Sequence, residues 1–591
     1  MRILLVAVNA KYVHSNPAVY CLKSYAASKG YEAEIAEYTI NQQVGEVLQD
    51  LYGRHADVVA VSCYIWNIEF VKALIRDYKK LCPQAEVWFG GPEVSYRAET
   101  LLLELPQVRG VMCGEGEETF ARLAAYYNGK QESLQNIPGI TFRVAGDEIH
   151  TNPPAVPLDF SALPFPYGNG ETTINEETDL SEFDHRIIYY ESSRGCPYSC
   201  AYCLSSIDKR VRFRDLELVK NELKFFLERK VPQIKFIDRT FNAHAKRTME
   251  ILEFIRENDN GMTNFHFEIA AELLTEEQLG LIGSLRPGLV QLEIGVQSAN
   301  EETLAAVHRK TDFEKLKQTV ARVRENGNVH IHLDLIAGLP KEDIVSFGNS
   351  FDEVYRMRPH QLQLGFLKVL SGSPMEEMAK GNHTLYQSLP PYEVLATEWL
   401  SYDDIIKLKK VEEMVETYYN SGQFIYSMLY LEHFFQTPYQ MYTGLANYYE
   451  RQKLFGMKLS RAKRYEALLE FAKEQFDIAE HRTPEGQKET GAVFEQILFF
   501  DYCLREKVKG RPDFGRLSHM EKQELKEAYV LFGVDREAEG MHDVEKFAFD
   551  PVKTAGAGEV TGQSCVILFS YAHREPIFGQ ATYRQEKKEN L

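Results

Sequence analysis

The sequence predicts an α/β chain in three parts: an open parallel sheet flanked by helices, a partial (β/α)6 barrel, and a mainly helical C-terminal region. Two series of short apolar runs alternating with amphipathic stretches predict the first two parts, and a long helical stretch without strand alternation predicts the third. At 591 residues the chain is too long for one ordinary core and implies roughly three or four domains.

The first series covers residues 1–145. It reads RILLVAV, AVYCLKSYAASKG, AEIAEYTI, VGEVLQDLY, DVVAVSCY, FVKALIRDYKKL, AEVWFGG, RGVMCG and ETFARLAAYY. The opening MRILLVAVNA is read as a buried first strand, because Lys11 and Tyr12 interrupt it where a signal peptide would continue apolar. In open sheets of this kind ligands sit beyond the carboxyl ends of the strands, here segments 9–16, 62–67, 90–95 and 114–117. Gly90 and Gly91 allow close backbone approach, and Ser62 places a hydroxyl at a strand end.

Residues 146–185 are Pro-rich with little periodicity and are expected to form a linker draped over a domain, with the PFPY stretch at 164–167 packing at an interface. The second series, 186–385, runs from RIIYYESS through QIKFID, NFHFEIAAEL, LVQLEIGVQS and HIHLDLIAGLP to QLQLGFLKVL. It supplies six strand–helix steps, fewer than a full barrel needs. From 386 to 591 the pattern is helical and tyrosine-rich, with a strand-like stretch SCVILFSYAHREPIFGQATY near the end and a charged tail, RQEKKENL, expected to be disordered. The tyrosines are expected mainly to form an amphipathic core, the alternative being that their helices cap the barrel mouth and bind substrate.

With 44% hydrophobic and 26% charged residues the composition is that of folded, soluble protein, and no apolar run reaches the ~18 to 20 residues of a membrane span. A net charge of −19 disfavours loose nucleic-acid binding, leaving KRVRFR (209–214) as one local basic candidate, either solvated or anion-facing. Nine cysteines without framework spacing fit a reducing cytoplasm better than a disulfide scaffold.

Three of those cysteines fall in SSRGCPYSCAYCLSS. Cys196, Cys200 and Cys203 make C-x3-C-x2-C, and soft thiolates in so tight a group select zinc or an iron–sulfur cluster. Structural zinc wants four closed ligands, and the nearest histidine on the C-terminal side is His244. A cubane held by three cysteines leaves one iron open to a substrate.

This spacing, on the loop after the first barrel strand, resembles the radical S-adenosylmethionine (SAM) enzymes. The first domain, through VSCY, GGPE and CGEGEETF, resembles the cobalamin-binding domain that precedes many of them. The resemblance implies a [4Fe-4S] cluster on Cys196, Cys200 and Cys203, whose open iron chelates SAM and whose electron cleaves it to a 5′-deoxyadenosyl radical. By the same resemblance Tyr202 lies against adenine, Asp238 meets the methionine amino group, and Gln297 and Ser298 lie near the ribose. Arg309 pairs with the carboxylate, and its planar fork suits that task. Ser62, Gly90, Gly91 and Glu115 fall at the cobalamin side. Glu293, with Glu268 and Asp334, lies in a barrel strand where an inward carboxylate must be paired or ligand-facing. Tyr189, Tyr190, Glu191 and Lys368 are candidate substrate contacts from their strand-end positions.

The first loop, NAKYVHSNPA, lacks the D-x-H-x-x-G pattern that supplies a histidine to cobalt, so His14 is expected to play a loop or hydrogen-bonding role. Cys21, Cys63, Cys82 and Cys113 are expected to be buried thiols, not a second cluster. The implied function is a cobalamin-dependent radical SAM methyltransferase acting on an unactivated carbon of a small molecule or peptide, with a flavodoxin or ferredoxin as electron donor. A cyclase or rearrangement enzyme that moves no methyl group is one alternative. A cobalamin-sensing protein with a structural cluster is another.

Overall fold

The computed structural model describes residues 1–590 except 131–132, 145–147, 168–185, 479–483, 509 and 535–538. Its first sheet holds β1 (Ile3–Asn9), β2 (Glu34–Thr39), β3 (Val58–Ser62), β4 (Glu86–Gly90), β5 (Gly110–Met112), β6 (Ile140–Arg143) and β7 (Ile149–Thr151). Their order is β2-β1-β3-β4-β5-β6-β7. The first five are parallel, and every residue of β1 and β3 is buried, as expected where helices cover both faces. Strands β6 and β7 add an antiparallel edge that the alternation did not predict. Strand β7 thus occupies the start of the stretch expected to be a linker.

After β7 the chain crosses to the second body. Phe165 and Tyr167 of the PFPY stretch are buried, Ser24 Oγ donates to the Phe165 carbonyl at 2.9 Å, and Tyr167 OH donates to the Tyr189 carbonyl at 2.6 Å. The remainder of the expected linker, 168–185, lies outside the described residues.

The second body begins with β8 (Ile188–Tyr190). A short antiparallel ribbon follows, β9 (Ser193–Arg194) with β10 (Arg212–Phe213), and then β11 (Gln233–Phe236), β12 (Asn264–Ile269), β13 (Val290–Gln297), β14 (His330–Ala337) and β15 (Gln361–Phe366). Strands β8-β11-β12-β13-β14-β15 form one parallel sheet in sequence order, an open six-stranded barrel wall. Its strands alternate: Leu292, Ile294, Leu333 and Leu335 face the surrounding helices and are buried, and Glu293 and His332 sit opposite each other on the other face. That period of two gives the barrel an apolar jacket and a polar lumen.

The third region opens with a small hairpin, β16 (Leu385–Tyr386) and β17 (Val394–Ala396), inside the stretch expected to be helical. It continues through helices Tyr402–Val415, Pro438–Arg451, Arg461–Ile478 and Pro484–Arg505. Tyr418, Tyr442 and Tyr465 are fully buried core residues. A three-stranded antiparallel sheet closes the chain, β18 (His542–Phe547), β19 (Cys565–Arg574) and β20 (Ala581–Lys587). Residues 584–587 of the tail expected to be disordered belong to β20. The ladder to β19 satisfies their backbone groups, so exposed polar side chains do not prevent order. Among the described residues no helix is long and apolar enough to cross a membrane.

Candidate functional site

A cavity of about 450 Å³ lies between the first sheet and the barrel mouth. One wall consists of strand-end segments of the first body: Ser62, Tyr64, Gly90, Gly91, Met112 and 114–117. The other consists of Glu191, Ser193, Arg194, Gly195, Ile237 and Arg239. Ser62, Gly90, Gly91 and Glu115 are therefore brought together across the sheet. Ser62 Oγ accepts from Asn16 Nδ2 at 2.9 Å. Gly91 has φ +111°, and a Cβ there would meet the Cys63 carbonyl oxygen at 2.5 Å, so no other residue fits the turn. Gly114, at φ +82°, has open space where its side chain would be. These features fit a large ligand lying flat on the strand ends.

The three-cysteine loop adjoins this wall. Gly195 has φ +90°, and a Cβ would stand 2.5 Å from the Arg210 carbonyl oxygen, which accounts for glycine before Cys196. The Cys196 N–H donates to the Asp208 carbonyl at 3.0 Å, the Cys203 N–H to that of Cys200 at 3.1 Å, and the Ala201 N–H to that of Val307 at 2.9 Å. All three cysteines are free thiols. Burial pushes the Cys196 thiol up, and Cys203 and Cys200 are close enough to push it further. A group of soft thiol donors on a pinned loop fits an iron–sulfur cluster.

Arg309 stands over this loop, its Nη1 3.7 Å from Cys200 Sγ and 3.4 Å from the Tyr202 hydroxyl, and its Nη2 donates to the Gly295 carbonyl. Its Nε has no partner, nor has the buried Oε1 of Gln297, whose backbone is held at φ +73°. Tyr202, Gln297 and Arg309 are thus gathered beside the cysteines with unused polar atoms.

Other expected residues are placed differently. Asp238 is fully committed: it accepts from the Ser192 N–H at 2.8 Å, the Ser192 hydroxyl at 2.7 Å and the Ser193 hydroxyl. It pins the strand leading to Cys196 instead of presenting a free oxygen. Ser298 is buried, and its hydroxyl donates to Glu342 Oε1 at 2.6 Å and accepts from the Asn300 N–H. Tyr190 points away from the lumen and donates to Glu222 Oε2 at 2.5 Å, whereas Tyr189 hydrogen-bonds His14 at 2.6 Å. Lys368 is exposed, is not among the residues lining the cavity, and its backbone pairs with that of Glu393 in an isolated antiparallel bridge. KRVRFR is not a free basic patch: Arg212 pairs with Glu115 and Asp208, and Arg214 is buried against Glu222. A contiguous charge run reveals nothing of carboxylates brought in from elsewhere.

The lumen below holds Glu268, Glu293 and Asp334 together. Glu293 accepts from Lys235 Nζ at 3.1 Å and contacts His266 Nε2 at 2.8 Å; burial would raise its carboxyl, but His266 and Lys235 take it down to about 2. Burial raises Glu268, opposed by Arg239. Glu293, His332 and Asp334 have ligand atoms within 4.8 Å of one another, but the Lys235 ammonium already compensates the first.

Sequence reasoning did not single out Arg194 or Arg239, and took Glu117 only as the end of the 114–117 strand-end segment. Arg194 lies between Glu191 Oε2 at 2.9 Å and Glu117 Oε1 at 2.6 Å, with Glu115 at 3.5 Å. Its position two residues before Cys196 was the available signal.

Three family models match separate stretches of the chain. Residues 3–124 match the B12 binding domain, residues 190–354 the Radical SAM superfamily, and residues 382–569 a protein family of unknown function (DUF4080). The 2-(S-pantetheinyl)-carbapenam-3-carboxylate methyltransferase of Streptantibioticus cattleyicolor is 27% identical over 52% of this chain and 46% of its own length. The cobalamin-dependent radical SAM methyltransferase TokK of Streptomyces tokunonensis is 26% identical over 55% and 48%. The chain thus spans about half the length of these curated relatives. The solved structure of the radical SAM methyltransferase TsrM from Kitasatospora setae, with tryptophan and aza-SAM bound, superposes with a TM-score of 0.53 at 19% identity, over 66% of this chain and 80% of that one. At such identity the likeness establishes the fold.

Proposed function

We propose, for a chain that joins a B12 binding domain to a Radical SAM superfamily domain, that it is a cobalamin-dependent radical SAM enzyme that methylates an unactivated carbon of a small molecule or peptide. The observation that carries this reading is the single cavity whose one wall is the strand ends of the B12 binding domain and whose other wall runs into the three-cysteine loop. When bound, a [4Fe-4S] cluster with SAM supplies a carbon-centred radical and cobalamin supplies the methyl group.

The chain's own residues bind and position. Cys196, Cys200 and Cys203 would hold the cluster. Arg309 and the free Gln297 Oε1 offer a donor and an acceptor to the polar groups of SAM, and Tyr202 offers an aromatic face. Ser62, Gly90, Gly91 and Glu115 would border the cobalamin. The apolar jacket of the barrel and the buried flank of Phe160, Phe165 and Tyr167 exclude water from the far side of the wall. A flavodoxin or ferredoxin would deliver the electron, and free thiols throughout the described chain suit the cytoplasm.

The test is protein purified without oxygen from cells supplied with cobalamin, beside a Cys196/Cys200/Cys203→Ala variant. About four irons and one cobalt per chain are expected, with only the iron lost in the variant. Iron without cobalt removes cobalamin from the account, and zinc in place of iron ends it. S-adenosylhomocysteine appearing in step with product separates methyl transfer from cyclisation or rearrangement.

A further inference from the structure

The residues just before Cys196 are tied alternately to the two bodies. Ser192 and Ser193 are fastened to the barrel through Asp238, whose two oxygens take three hydrogen bonds from them. The next residue, Arg194, points the other way. Its Nη2 donates to Glu117 Oε1 at 2.6 Å, in the first turn of the helix Glu117–Tyr127 of the B12 binding domain, and its Nη1 lies 3.5 Å from Glu115 Oε2. Its Nε donates to Glu191 at 2.9 Å, and its guanidinium lies 4.8 Å from the centre of the Phe160 ring.

A second arginine repeats the tie on the partner strand. Arg212 of β10, paired with Arg194 in the ribbon, reaches Glu115 and lies 3.2 Å from Asp208, whose carbonyl receives the Cys196 N–H. The cysteine loop therefore has its approach strand and its return strand bonded to the 115–117 turn through Arg194 and Arg212, next to the cavity glycine Gly114, and its first ligand's amide is held by Asp208, which Arg212 also contacts. Glu115, Glu117, Glu191, Asp208, Arg194 and Arg212 form one network in which carboxylates outnumber arginines. Each arginine is shared by several carboxylates, so a shift of Glu115 or Glu117 breaks a contact to Arg194 or Arg212 directly.

We infer that Arg194 is a positioning residue that couples occupancy of the cobalamin cavity to the geometry of the cluster loop. This rests on the cofactor assignment proposed above. A ligand seated against 114–117 fixes Glu115 and Glu117, and through Arg194 that constraint reaches Cys196 two residues away. The cluster and the methyl donor are thereby registered to each other only when both are present. An arginine suits this position because its fork engages several carboxylates in fixed directions, which a lysine ammonium does not.

The test uses the full chain reconstituted with iron and sulfide, with and without added hydroxocobalamin, as wild type, Arg194→Gln and Glu117→Gln. Cobalt binding is read from absorbance, and cluster geometry from the electron paramagnetic resonance spectrum of the reduced cluster with SAM. In the wild type, hydroxocobalamin is expected to change that spectrum. In both variants, compared with the wild type at saturating hydroxocobalamin and equal cobalt content, the change is lost, and cobalamin-stimulated deoxyadenosine formation falls by about tenfold to a hundredfold. Glu117→Gln removes one partner without disturbing the strand, so it decides the question if Arg194→Gln does not fold. A spectrum that responds to cobalamin equally in the variants, or not at all in a cobalt-loaded wild type, overturns the coupling. A wild type that binds no cobalt overturns the cofactor assignment itself.

Discussion

Arg214 and Glu222 form a closed ion pair, with Arg214 Nη2 2.6 Å from Glu222 Oε1 and Nε 3.0 Å from each carboxylate oxygen, both side chains at most 4% exposed. Arg214 Nη1 also donates to the carbonyls of Phe160 and Leu163, so the pair fastens the Pro-rich crossing to the barrel. Removing one partner strands a buried charge. Glu222→Gln is expected to cost about 3–5 kcal/mol, and Arg214→Met a similar amount, measured by thermal denaturation. A loss well under 1 kcal/mol would mean that water reaches the pair.

The turn at Gly91 tolerates no side chain. Gly91→Ala forces a Cβ against the Cys63 carbonyl at positive φ and is expected to cost about 1–3 kcal/mol and to lower cobalt retention. Gly90→Ala is the comparison. Its Cβ would meet the flexible end of Met112 at 3.3 Å, so it is expected to be milder. Equal behaviour of the two variants in melting and cobalt content would refute the steric account.

Arg309 joins the Cys200 sulfur, Tyr202 and the Gly295 carbonyl. Arg309→Lys keeps the charge and loses the fork. Its deoxyadenosine formation is expected to fall about tenfold to a hundredfold with iron content unchanged, and its KM for SAM to rise. Loss of iron instead would assign Arg309 to cluster assembly.

Asp501 in the C-terminal region gives the chain a pH dependence. Burial pushes its carboxyl up to about 7 from an ordinary value of 3.8, although the Ser427 hydroxyl and the Ser427 and Tyr426 amides oppose the rise. The folded state therefore holds the proton more tightly than the unfolded chain. Stability from this group is full below pH about 4 and declines as the pH rises to about 7, by up to about 4 kcal/mol. Asp501→Asn is expected to flatten this slope when melting is compared between pH 5 and pH 8. A slope unchanged by the substitution would move the titration to another group.

Local pattern alone determined the fold class. Short apolar runs marked the strands and amphipathic stretches between them marked the helices, because each depends only on neighbours along the chain. The cysteine spacing was legible for the same reason: a short loop fixes the distances among its own ligands. Strand phase was not. A shift of one residue exchanges inside for outside, so Tyr189 and Tyr190 read alike in sequence while one reaches His14 and the other Glu222. Tail residues 584–587 read as disordered because the ladder that orders them comes from β19. The Arg194–Glu117 contact spans 77 residues and exists only because the first sheet docks on the barrel with its strand ends facing the cysteine loop. No local periodicity encodes that docking; it is decided by which buried faces and which charges find each other once both bodies have formed.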